Sequence, residues 1–153
     1  MVKEDHMLQV ELLNQLMQRR IEGLWPDITT FASELAESMH PERGGLAVGY
    51  KDCYGSIRTW GKGINIHYPS RWGDPEDQYE LYAVLKLGTA LRKESNTQKR
   101  AKEFLPLEAV HQGGVVRFFD QTWVGVGFSG FTGEEDERIA LSTLERFFSS
   151  LRK

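Results

Sequence analysis

The stretch that decides the fold is Gly113-Gly114-Val115-Val116-Arg117-Phe118-Phe119-Asp120-Gln121-Thr122-Trp123-Val124-Gly125-Val126-Gly127-Phe128-Ser129-Gly130. Two runs rich in β-branched and aromatic residues flank Asp120-Gln121, which predicts an antiparallel hairpin with a tight two-residue turn. Successive side chains on a strand point to opposite faces. In the second run, Val124, Val126 and Phe128 therefore share one face, and Trp123, Gly125, Gly127 and Ser129 the other. Two adjacent positions on that second face carry no side chain, and glycine weakens a strand unless something must come close to the bare backbone. A packed helix or a flat ligand would each account for it.

Just downstream, Thr132 and Glu135 stand at capping-box spacing, in which a hydroxyl and a carboxylate each satisfy an unpaired amide at a helix start. A terminal helix is expected there, with Ala140, Leu144, Phe147, Phe148 and Leu151 as its apolar stripe. The four acids at 134–137 read as stabilisation of the helix's positive end rather than as a metal site.

Upstream, residues 46–50 and 56–60 have the composition of short strands joined by a turn at 52–55, and residues 64–68 read as a third extended piece ended by Pro69. A loop rich in Gly73, Asp74 and Pro75 then opens a long helix, capped by the acids at 74–77. On that helix Tyr82, Lys86, Thr89 and Lys93 recur at steps of four, three and four, so they share one stripe. Two ammonium groups and a hydroxyl would project together. Residues 92–102 continue the theme with five basic residues and one acid. Such a run is either a solvated helix end whose cations suit the negative pole, or a recognition site for a phosphate, a carboxylate or a propionate-bearing cofactor. Towards the amino terminus, helical spacing over 7–23 ends at Gly23, and a second helix starts after Pro26 with Ile28, Phe31, Leu35 and Met39 in phase.

This order of elements is an α+β arrangement, an antiparallel sheet with helices on one side or both. At 153 residues the chain suits one domain, with 1–43 as a helical extension and 44–153 as sheet and helices. A formal charge of -3 argues against nucleic acid or a membrane surface as partner. One cysteine excludes an internal disulfide framework and suits a reducing cytoplasm. The acidic start at Glu4-Asp5 does not read as a secretory signal, and no run approaches the ~20 apolar residues a membrane span needs.

The hairpin, its Ser129-Gly130 end and the acidic helix start that runs to Ala140 resemble the carboxy-terminal signature of the GlcG/HbpS-like family, the heme-binding-like and PduO carboxy-terminal-like group. Lys86-Leu87-Gly88-Thr89-Ala90 resembles the family's Lys-x-x-Thr-Ala helix, and residues 92–96 are similar to an Arg-Lys-Ser-Asn stretch of a cytosolic branch, here interrupted by Glu94. The resemblance implies a profilin-like sheet flanked by helices, a homo-oligomer and a small ligand, with heme, a corrinoid or a small carboxylate as candidates.

The residues that would carry such a ligand are Lys86, Arg92 and Lys93 for an anionic group, Thr89 and Ser129 as hydrogen-bond donors, and Gly113, Gly114, Gly125 and Gly127 for close approach. His111 precedes the Gly-Gly pair and is the histidine best placed to join them. No two of the four histidines are spaced as a metal motif, Cys53 has no neighbouring partner, and Ser129 lacks the surroundings of a nucleophile elbow. No acid–base or base–nucleophile spacing demands catalysis. The alternative to a ligand-binding protein is an oligomeric scaffold or adaptor that presents a surface to a protein partner.

Overall fold

The computed structural model describes residues 2–73, 78–97 and 112–151, with side chains from residue 7 onward. Four strands, β1 (Gly44–Lys51), β2 (Ile57–Ile64), β3 (Gly114–Phe119) and β4 (Thr122–Ser129), form one antiparallel sheet in the order β2-β1-β4-β3. Helices α1 (Val2–Met39) and α3 (Gly133–Leu151) cover one face, and α2 (Gln78–Lys93) covers the other. The architecture is the expected α+β one. No helix among the described residues is long and apolar enough to cross a membrane.

The β3–β4 hairpin forms as its sequence predicts, with Asp120 and Gln121 both left-handed at φ 49° and 63°. Two consecutive positive-φ residues match the twist of the flanking strands. Val124, Val126 and Phe128 enter the core shared with α1 and α3, and Trp123 packs on the α2 side. The capping box also closes: Thr132 Oγ1 accepts the Glu135 N–H, and Glu135 Oε1 accepts the Thr132 N–H, each at 3.3 Å.

The glycine-bearing face of β4 is explained by α2. A Cβ on Gly127 would lie 2.2 Å from the Ala83 carbonyl oxygen, and one on Gly45 of β1 would lie 2.2 Å from that of Tyr79. The helix backbone rests directly on the sheet, filled in by Ala47, Ala83, Leu87 and Leu91. Of the two occupants the sequence allowed, the packed helix is the one present. A flat ligand over Gly125 and Gly127 is thereby excluded.

Two expectations are corrected. The two amino-terminal helices are one, because α1 runs through Gly23 and Pro26. Pro26 and Glu22 are both exposed, so the carbonyl that loses its partner lies on the water side. Ile21 and Ile28, two turns apart and both fully buried, hold a single apolar stripe in phase across the proline. The third extended piece is also absent: β2 takes Ile64 as its last residue, and residues 65–68 turn back with Asn65 at φ 53°. Asn65 is held there by its carboxamide, which donates to the Ser33 carbonyl at 3.0 Å.

Candidate functional site

Lys86 leaves α2 pointing inward. Its Nζ donates to Asp136 Oδ2 at 2.9 Å and to the Phe128 carbonyl at 3.1 Å, and both side chains are buried. Asp136 Oδ1 accepts the Phe131 N–H at 2.9 Å, so one ion pair ties α2, the end of β4 and the start of α3 together. Burial pushes the Asp136 carboxyl up to about 6, against the pull of the Lys86 ammonium and of its hydrogen bonds. The first of the cations expected to meet an anion is thus already neutralised from within. Thr89 is buried too, and its hydroxyl donates to the Leu85 carbonyl at 2.8 Å, the usual back-bond of a helical threonine.

The predicted glycines surround this knot. Gly113 lies at φ 129°, and its carbonyl accepts the Phe128 N–H at 2.8 Å. A Cβ on Gly114 would lie 2.3 Å from the Lys86 carbonyl oxygen. Gly114 also exchanges hydrogen bonds with Thr97, whose N–H and hydroxyl both meet it at 2.9 Å. Ser129, at the end of β4, is buried. Lys86, Gly113, Gly114, Gly125, Gly127 and Ser129 therefore belong to the interior, packed by the chain itself.

Arg92 and Lys93 stand apart, exposed on the last turn of α2. His111 and residues 98–102 of the basic run lie outside the described residues. The single expected site thus divides into a buried half and a rim.

At the rim, the carboxyl end of α2, the β1–β2 turn and the β3–β4 turn enclose an open cleft of about 480 Å³. Lys51 lines it, donating to Glu94 Oε1 at 2.9 Å and to the Arg92 carbonyl at 3.5 Å. Phe118, more than half exposed, meets Trp123 edge to face with ring centres 5.4 Å apart. Cys53 and Tyr54, both exposed, complete the opposite wall. The Trp123 side of the hairpin was legible as a face in the sequence; its proximity to Lys51 was not, because β1 and β4 are adjacent only in the sheet.

A second charged group was also missed. His40 Nε2 meets Glu135 Oε2 at 2.5 Å, and Arg71 Nη1 donates to Glu135 Oε1 at 3.2 Å. Partial burial pushes the Glu135 carboxyl up, but hydrogen bonds from His40 and Thr132 outweigh it and hold the group at about 2. Among the described residues, no three His, Cys, Asp or Glu side chains are arranged to hold a metal ion.

No protein-family model matches the chain, and no curated protein matches it significantly. Solved structures do. The Klebsiella pneumoniae protein ORFY of family DUF336 aligns with 82% of this chain and 88% of its own at a TM-score of 0.58 and 15% identity. A double mutant of Streptomyces reticuli HbpS aligns over 78% and 84% at 0.52 and 20% identity, and the Ybr137w protein over 79% and 74% at 0.53 and 20% identity. The chain has the fold of these proteins. The GlcG/HbpS-like resemblance read from the hairpin and the capped helix agrees with that fold.

Proposed function

We propose that the protein is a small-molecule-binding protein of the GlcG/HbpS-like type that acts in the cytoplasm without catalysing a reaction, and that its ligand enters the cleft at the carboxyl end of α2. The observation that carries this reading is the composition of the cleft: Phe118 and Trp123 lie beside Lys51, whose ammonium is held by Glu94, and Asp52 also lines it. Aromatic surface next to an ammonium suits a conjugated ring that bears a carboxylate able to replace Glu94 on Lys51. Heme and corrinoids, the ligands the resemblance implies, offer such rings. Trp123 would hold the ring of such a ligand, and Lys51 would hold one of its carboxylates. Among the described cleft residues, Cys53 and Tyr54 are of the types that hold heme iron in proteins.

The test is a titration of freshly purified protein with hemin and, separately, cobalamin, followed by absorbance. Saturable binding that weakens tenfold or more in Trp123→Ala and in Lys51→Ala supports the cleft. Wild-type protein that leaves both spectra unchanged overturns it. The same reading includes the homo-oligomer that the resemblance implies, measured by sedimentation velocity.

A second reading, a scaffold presenting a surface to a protein, is favoured by Leu81 and Tyr82, both exposed on α2. It would be preferred if both titrations are silent while the oligomer persists.

A further inference from the structure

Helix α1 is 38 residues long, about 57 Å at 1.5 Å per residue, whereas an eight-residue strand spans about 27 Å. It buries one stripe, Val10, Met17, Ile21, Ile28, Ala32 and Ala36. At 100° per residue, Leu12 stands about 200° around the helix from Val10. Leu8, Leu12 and Leu16 form a ridge on that opposite side and are 58%, 57% and 41% exposed. Three leucines in line on the water side of a helix are not a solvated face.

The sequence around this ridge is symmetric about Leu12. Counting outward, Leu8 mirrors Leu16, Gln9 mirrors Gln15, and Glu4-Asp5 mirror Arg19-Arg20 with the charge reversed. We infer that the ridge is a two-fold contact between two copies of this chain, in which the α1 helices lie antiparallel with Leu12 on the axis. In that register residue i of one copy faces residue 24 − i of the other. Leu8 packs on Leu16 and Leu12 on itself, and the acidic positions 4 and 5 come opposite the basic positions 20 and 19.

A parallel pairing would instead set each charge against its own kind, which disfavours it. Arg19 is exposed, whereas Arg20 already reaches Asp120 at 3.6 Å within its own chain. Charge complementarity therefore rests first on positions 5 and 19.

This deepens the self-association proposed above and is independent of the ligand. The experiment is disulfide capture in full-length Cys53→Ser protein. Leu12→Cys alone should cross-link to itself under mild oxidation. Leu8→Cys and Leu16→Cys should each cross-link poorly alone and readily when mixed. In parallel, Leu12→Lys should shift sedimentation at least tenfold toward the smaller species along a dilution series, with circular dichroism unchanged because the position faces water. Asp5→Arg or Arg19→Asp alone should weaken the dimer, and the two together should restore it. Wild-type protein that stays monomeric at every concentration overturns this inference and the homo-oligomer alike. An oligomer that ignores Leu12→Lys, or a mixed 8/16 pair that captures no better than either alone, overturns the antiparallel ridge and leaves the oligomer standing.

Discussion

Two lysine–carboxylate pairs in this molecule close to the same 2.9 Å, yet they belong to different physical regimes. Lys86–Asp136 is almost sealed, with side chains 5% and 3% exposed, whereas Lys51–Glu94 is 16% and 46% exposed. In the sealed pair each charge has lost its water and depends on the other and on the Phe128 carbonyl and Phe131 N–H around it. In the open pair water and salt share the work. One lysine is thus spent on holding three elements together, and the other stays at the surface.

The largest expected effect comes from breaking the sealed pair. Asp136→Ala strands the Lys86 ammonium, and urea denaturation should show a loss of about 3–5 kcal/mol. Gly127→Ala comes next: its Cβ must displace the Ala83 carbonyl and with it the α2 backbone, at about 1–3 kcal/mol or more. Glu94→Ala, which opens the exposed pair, should cost no more than about 1 kcal/mol. Equal losses in Asp136→Ala and Glu94→Ala would erase the distinction between the two pairs.

A pH series sharpens the contrast further, because Glu135 and Asp136 are neighbours with opposite shifts. Glu135 is held at about 2, below its ordinary 4.5, so the stability it contributes is present above that value and is lost as pH falls from about 4.5 toward 2. Asp136 is raised from 3.8 to about 6, so its contribution is greatest below 3.8 and declines as pH rises through about 6. Glu135→Gln should flatten the acid limb of the stability curve and leave the slope between pH 4 and 6. Asp136→Asn should do the reverse while lowering stability at neutral pH.

The elements that proved legible are those whose signal is local. Strand alternation in 122–129 told which side chains share a face, and the spacing of Thr132 to Glu135 told where α3 begins. The expectations that changed depend on contacts distant in the chain. Lys86 and Asp136 are fifty positions apart, and nothing near either residue shows that the sheet brings them together. Gly23 as a helix end and Pro26 as a helix start are local signals, overridden because Ile21 and Ile28 both gain a buried seat if the helix continues. The same logic separates Arg92 and Lys93 from Lys86: about two turns of helix carry the stripe from the interior out into water.

Periodicity, capping chemistry and the cost of glycine in a strand were enough to specify an antiparallel sheet, its core face and the need for something to lie close against Gly125 and Gly127. These are properties of neighbouring residues, and the backbone geometry that expresses them is set within a few positions. The occupant of that glycine face, the partner of Lys86 and the cleft between Lys51 and Trp123 came only from the assembled molecule. Burial and charge pairing are decided by which distant surfaces the sheet order brings into contact, and a lysine has no local mark that tells whether its ammonium will end in water or against a carboxylate.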